Sequence, residues 1–242
     1  LTGEISWRGL AWRLGLALAA QAYISTEVTV TLTLALIVAL PPAFALVPRI
    51  RPHMRTALAG VGAGYAFALL LAAPLLYYAF TGLTRGVNVF AAYFSNDVLN
   101  FVLPTRLTGW GGETLDRVTQ RFPGNDAERG AYLGAPLLLI VGLFAWRNRR
   151  VPAARFLVAA FMLFVALSLG TRLTVDGTPR LWLPWSIWEH WIGFEQIIPS
   201  RLVVYAVLAA AVMAAIWCAT APGRVFARPY VLPVLAVAAL VP

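Results

Sequence analysis

Apolar runs long enough to cross a bilayer, separated by short, mostly arginine-bearing links and two long polar segments, dominate this sequence. They leave few folds open. A helix needs about 20 largely apolar residues to span the hydrocarbon layer, and only helices or closed barrels satisfy their own backbone groups there. Segments 10–24, 28–47, 56–80, 131–146, 153–169, 202–220 and one beginning at Tyr230 meet or approach that length. The fourth is short and the seventh is cut by the end of the chain. The expectation is an all-α fold, a polytopic transmembrane helix bundle of seven spans. Residues 1–242 form a single transmembrane domain in this reading, with outer loops at 81–130 and 171–201. Composition agrees, since 60% of the residues are hydrophobic and 12% charged, with a mean hydropathy of +0.76. The chain opens at Leu1 without a methionine and stops at Pro242 inside an apolar segment, so it reads as a fragment of a longer protein. Its first residues lack the charged, apolar and small-residue order of a signal peptide.

Charge placement orients the spans. The links carrying Arg49, Arg51 and Arg55, then Arg147, Arg149, Arg150 and Arg155, then Arg224 and Arg228 contain no acidic residue. The positive-inside rule puts them on the cytoplasmic side, together with Arg8 and Arg13. The two long loops mix arginine with Asp97, Glu113, Asp116, Asp126, Glu128, Asp176, Glu189 and Glu195 and suit the opposite face.

Several function classes fall away. The formal charge of +9 comes from 19 basic residues against 10 acidic ones, scattered between apolar runs rather than gathered on a soluble face, so no nucleic-acid partner is expected. Cys218 is the single cysteine, which excludes a disulfide scaffold. His53 and His190 fall on opposite sides of the membrane in this topology, so they cannot share a metal, and no zinc motif is present. No serine has a nucleophile-elbow context. Gly60-Val61-Gly62-Ala63-Gly64 follows no strand and starts an apolar helix, so it reads as a packing face, with Gly60 and Gly64 as a small-xxx-small pair.

Local patterns refine the picture. Residues 28–34 alternate like a strand, yet their apolar flanks extend them to helical length, with Thr26, Thr29 and Thr33 on one face and their hydroxyls free to bond to the preceding turn. Pro41, Pro42 and Pro74 are expected to kink the second and third spans near their ends. In segment 183–198, Ser186, Glu189, His190, Gly193 and Gln196 make one polar stripe, while Trp188, Trp191 and Ile192 face elsewhere, which predicts an interfacial amphipathic helix. Anchoring at the headgroup level explains the tryptophans; a roof over a lipid-accessible site is the sharper alternative.

Ionisable residues at the outer ends of spans are the candidate functional groups. Glu27 lies at the turn between the first two spans and Arg201 at the start of the sixth. Asp97 and Arg106 in the first long loop, and Arg172 at the end of the fifth span, reach the same side. A structural ion pair accounts for any one of them; together they suit a phosphate or diphosphate headgroup, which matches the planar guanidinium fork. A carboxylate beside them, Glu27 or Asp97, suits a base that takes a proton from an acceptor hydroxyl. Glu27 also suits a ligand to a divalent cation, Mg or Mn, with no other cofactor indicated.

Four segments, residues 21–27, 96–105, 167–172 and 198–201, carry a resemblance to the GT-C class of polytopic membrane glycosyltransferases. The resemblance covers most of the chain. It implies transfer of a sugar from a polyprenyl-phosphate donor to an acceptor on the outer face of a bacterial plasma (inner) membrane, with inversion at the anomeric carbon. It implies Arg201 or Arg172 as a ligand of the donor phosphate, beside Arg106 as the further substrate-binding candidate of the arginine cluster. In that class an acid in the first outer loop is the base; here the first outer turn, Ser25-Thr26-Glu27, is too short to be that loop, which places the catalytic loop upstream. The competing readings are a lipid-precursor transporter or flippase, for which the almost purely apolar fifth span offers no polar path, and a structural subunit whose outer loops bind a partner protein.

Overall fold

The computed structural model describes residues 6–82, 91, 93–109, 114–190, 194, 197–220 and 231–240. The described chain is mostly helical and divides into two compact units, Leu1–Val87 and Asn88–Pro242. Three of its helical segments are long and apolar enough to cross a membrane: Thr26–Leu46, Pro48–Leu71 and Pro199–Thr220.

The first unit holds α1 (Trp7–Ile24), α2 (Thr26–Leu46), α3 (Arg51–Leu71) and α4 (Ala73–Gly82). Ser25 alone separates α1 from α2. Its N–H closes α1 on the Gln21 carbonyl at 2.7 Å, and its hydroxyl accepts the Val28 N–H at 3.3 Å, so one residue ends a helix and caps the next. α1 packs along α3, and glycine permits the approach. A Cβ on Gly60 would meet Leu10 Cδ2 at 2.9 Å, and one on Gly64 would meet the Ala11 carbonyl at 3.1 Å. The packing role read from Gly60 and Gly64 is realised, and Gly15 joins it from the facing helix, where a Cβ would lie 2.9 Å from the Gly64 carbonyl. Leu18, Ala19 and Ala68 form the core of this layer, flanked by Leu14, Leu32 and Tyr65. Thr29 and Thr33 return their hydroxyls to the Ser25 and Thr29 carbonyls at 3.1 and 2.7 Å, and the Thr33 hydroxyl also meets the Tyr65 hydroxyl at 2.8 Å.

The expected third span, 56–80, is not one helix. α3 ends at Leu71 and α4 begins at Ala73, with Pro74 in its first turn. Proline has no N–H to give to the carbonyl four residues back, so the ladder is interrupted where Pro74 enters. Pro41 and Pro42 do less: α2 runs through both to Leu46.

The second unit places a polar cap on an apolar bundle. The bundle is α6 (Gly134–Arg147), α7 (Pro152–Ser168), α9 (Val203–Thr220) and α10 (Val231–Ala239). α7 packs on α9, and α6 on α9 and α10, around buried Phe144, Phe164, Met213 and Trp217. Arg147 donates to the Thr220 carbonyl at 2.8 Å, so the arginine-bearing α6–α7 turn lies beside the end of α9, and the cap occupies the other end of the bundle. α6 and α7 are shorter than a bilayer-crossing helix by length alone, and residues 221–230, with Arg224 and Arg228, lie outside the described residues.

The cap comprises α5 (Asp116–Thr119), the strands β1 (Arg172–Val175) and β2 (Thr178–Trp182), and α8 (Trp185–Trp188), joined by turns. β1 and β2 pair antiparallel, with Arg172 opposite Trp182 and Val175 opposite Thr178. Asp176 and Gly177 close this hairpin with φ of 55° and 72°, the two left-handed residues that a tight primed turn demands. This hairpin is a departure from the all-α expectation. A second departure concerns the amphipathic helix expected over 183–198. The described helix ends at Trp188 and the chain turns at Glu189 and His190. Trp185 is buried rather than turned to lipid, packing edge-on against Phe194, and the Ser186 hydroxyl bonds back to the Leu183 carbonyl at 2.8 Å. Trp191, Ile192, Gly193 and Gln196 lie outside the described residues.

Candidate functional site

The cap is sewn to the ends of α7 and α9 by hydrogen bonds to backbone carbonyls. The Asn96 N–H donates to the Ser168 carbonyl at 3.0 Å, the Asn96 side-chain amide to the Ser200 carbonyl at 3.2 Å, and the Ser200 N–H to the Phe94 carbonyl at 3.1 Å. Gly170 makes this seam close: it sits at φ 69°, and a Cβ there would lie 2.7 Å from Ser95 Cβ. Four of the five candidate residues lie in this region, and the geometry separates them.

Arg201 stands at the seam. Pro199 starts the one-turn 3-10 helix Pro199–Leu202 that leads into α9, and this turn holds the guanidinium against Glu128, 73 residues earlier. Arg201 Nε donates to Glu128 Oε1 and Oε2 at 3.0 and 3.2 Å, and Nη2 donates to Oε1 as well. The Ser200 hydroxyl adds a 3.2 Å bond to Oε2. The Glu128 side chain is 12% exposed and that of Arg201 44%, so the pair presents a cation outward on a largely buried carboxylate. A partly exposed guanidinium braced in this way is held in one orientation. Glu128 was seen in the sequence only as one of several loop acids, since nothing in its spacing marks a partner so far along the chain.

Asp97 is wholly buried. Its Oδ1 accepts from the Leu99 and Asp176 N–H groups at 2.9 and 3.1 Å, and its Oδ2 from the Gly177 N–H at 2.8 Å. The Asp97 backbone also forms a bridge to Thr174 in β1. The carboxylate therefore caps the turn that begins at Val98 and pins the tip of the hairpin. A base must reach a substrate hydroxyl within about 3 Å, and these bonds point both oxygens into the cap.

Arg106 and Arg172 are engaged on the cap surface. Arg106 forks onto Asp116, Nε to Oδ1 at 2.7 Å and Nη2 to Oδ2 at 2.6 Å, and Gln120 donates to the same carboxylate at 2.6 Å. The Arg106 hydrogen bond is the main cause that holds the Asp116 carboxyl below its usual value of 3.8. Arg172 lies 3.8 Å over the ring of Trp182, its cross-strand neighbour, as a cation–π pair. Arg129 organises the loop beneath, donating to the Phe122 and Gly124 carbonyls at 3.1 and 2.8 Å and to Asp126 at 3.0 Å.

Glu27 belongs to the other unit. It occupies the first turn of α2, where the positive end of the helix dipole favours an acid. Among the described residues no three His, Cys, Asp or Glu side chains gather into a metal-binding group, at Glu27 or elsewhere. Comparison of the chain with protein-family models, curated proteins and solved structures gives no match.

Proposed function

We propose that this chain is part of a GT-C-like membrane glycosyltransferase that moves a sugar from a polyprenyl-phosphate donor to an acceptor at the capped end of the bundle. The observation that carries the reading is Arg201: a half-exposed guanidinium, braced by a largely buried Glu128, at the joint between the apolar bundle and the polar cap. A lipid-linked phosphate arriving at the end of apolar helices meets that height first, and a guanidinium fork is the side chain suited to it. Arg172 and Arg106, on the same cap, are the further candidates for the donor's charge. In this proposal the chain spans the plasma membrane of a bacterium several times, with its arginine-rich links cytoplasmic and the cap outside.

The test is sugar transfer by the complete protein, purified in lipid nanodiscs, from a radiolabelled polyprenyl-phosphate sugar. Arg201→Ala is expected to abolish donor use while leaving expression intact, and Arg201→Lys to restore part of it. Unchanged turnover in Arg201→Ala removes the assignment. Movement of the intact donor across the bilayer without transfer would favour a transporter instead.

A further inference from the structure

The first unit contains a feature that the proposed transferase chemistry does not use. Between the second half of α2 and the start of α3 lies an apolar groove of about 840 Å³, walled by Ile37, Leu40, Phe44 and Leu58, with Arg51 and Arg55 among its lining residues. Its apolar walls face outward: Ile37 is 60% exposed, Phe44 51% and Leu58 45%. Both helices are among the three segments long and apolar enough to cross a membrane, and the groove lies where one ends and the other begins. The volume is in the range of small-molecule sites.

We infer that this groove binds an anionic diacyl phospholipid, with an acyl chain along Ile37, Leu40, Phe44 and Leu58 and the headgroup phosphate at Arg55. Four features set the charge preference. Arg51 is bound back into the hairpin: Nε and Nη2 donate to the Phe44 and Ala45 carbonyls at 3.0 and 3.1 Å, and its guanidinium lies 5.2 Å from the Phe44 ring centroid. It thereby covers the negative end of α2 and stiffens the groove wall. Arg55, one turn further along α3, is exposed, and no described residue pairs with it. The first turn of α3 contains no acid, so the positive end of its dipole is not offset there. From Val28 to Asn96 the sequence contains no acidic residue at all, so nothing nearby in the chain offsets Arg49, Arg51 and Arg55. A basic recess between apolar helices is the chemistry that anionic lipid headgroups select. The inference is independent of the glycosyltransferase proposal.

The experiment is native mass spectrometry of the full chain, delipidated in a neutral detergent and titrated separately with dioleoyl-phosphatidylglycerol, dioleoyl-phosphatidylcholine and glycerol 3-phosphate. Phosphatidylglycerol is expected to bind at least about fivefold more tightly than phosphatidylcholine, the factor one arginine contact supplies, and glycerol 3-phosphate not to bind detectably. Arg55→Gln, an exposed position, is expected to erase the preference, and Leu58→Trp, which fills the groove, to weaken both lipids. Equal binding of the two lipids, a preference that survives Arg55→Gln, or binding unaffected by Leu58→Trp overturns the inference. Glycerol 3-phosphate binding as tightly as the lipid would also overturn it, in favour of a site for free phosphate compounds.

Discussion

Asp97 Oδ2 accepts a 2.8 Å hydrogen bond from the backbone N–H of Gly177, eighty residues downstream, and so ties the first loop of the cap to the tip of its hairpin. Asp97 Oδ1 holds two further backbone N–H groups in the same way. Asp97→Ala would strand all three. At the lower end of about 1–3 kcal/mol for each donor left without an acceptor, the loss is about 3 kcal/mol. Limited proteolysis checks it: the variant is expected to be cut within 171–183 at protease concentrations that leave the parent intact. A stably folded Asp97→Ala that has lost only sugar transfer would favour the role of base for Asp97 over that of a structural cap.

The Arg201–Glu128 pair joins segments 73 residues apart, and its two partners differ in exposure, so removing one is not equivalent to removing the other. Arg201→Ala leaves a largely buried carboxylate with the Ser200 hydroxyl, at a cost of about 1–3 kcal/mol. Glu128→Gln keeps the shape and an acceptor oxygen and leaves no buried charge, so it is expected to cost less. In a double-mutant cycle followed by thermal unfolding, the combined variant should be more stable than the sum of the two losses predicts, by at least about 0.5 kcal/mol. Strict additivity would mean that the pair contributes no coupling.

Hydrophobic runs made the helices legible: 28–47 appears as Thr26–Leu46 and 153–169 as Pro152–Ser168, because burying an apolar face or meeting lipid leaves the backbone no other satisfied form. The glycine packing face was legible for a similar reason, since Gly60 and Gly64 recur at one helical turn. The hairpin was hidden, although Asp176-Gly177 between short strands is a strong turn signal. Pro179 in β2 and the brevity of both strands blur the strand pattern, and a register shift between Leu173 and Thr174 accommodates the irregularity. Among the candidates, the sequence found Arg201 by its position at the start of a span but not Glu128, because a pair separated by 73 residues leaves no periodic trace. It singled out Asp97 for its charge, whereas burial and three backbone donors decide what that charge does.

Two glycines of the first unit that look alike in sequence are expected to respond in opposite senses. A Cβ at Gly15 would lie 2.6 Å from Phe67 Cδ1 and 2.9 Å from the Gly64 carbonyl, whereas one at Gly62 meets nothing within 4 Å. Gly15→Ala must push α1 off α3, at a cost of about 1–3 kcal/mol. Gly62→Ala adds helix propensity without a clash, a gain of up to about 1 kcal/mol. Thermal unfolding in detergent, followed by circular dichroism, should lower the midpoint for the first and hold or raise it for the second. Equal responses would mean that α1 and α3 do not approach through glycine.

The Arg106–Asp116 fork gives the cap a defined acid response. Because the folded-state pKa of Asp116 is depressed, chiefly by the Arg106 hydrogen bond, the pair's stabilisation is fully present above the unfolded value of 3.8 and is lost as the pH falls through the lower folded value. At neutral pH the pair is intact, and it opens only in acid. The Arg106 side chain is 51% exposed, so salt should weaken the effect. A carboxyl-carbon NMR titration of Asp116 checks this directly: its midpoint should lie below 3.8 in the parent and move up in Arg106→Gln. Gln120, which donates to the same oxygen at 2.6 Å, should keep part of the depression in that variant, and Gln120→Ala combined with Arg106→Gln should remove most of the remainder. An Asp116 midpoint that does not change when Arg106 is replaced would show that the fork does not form in solution.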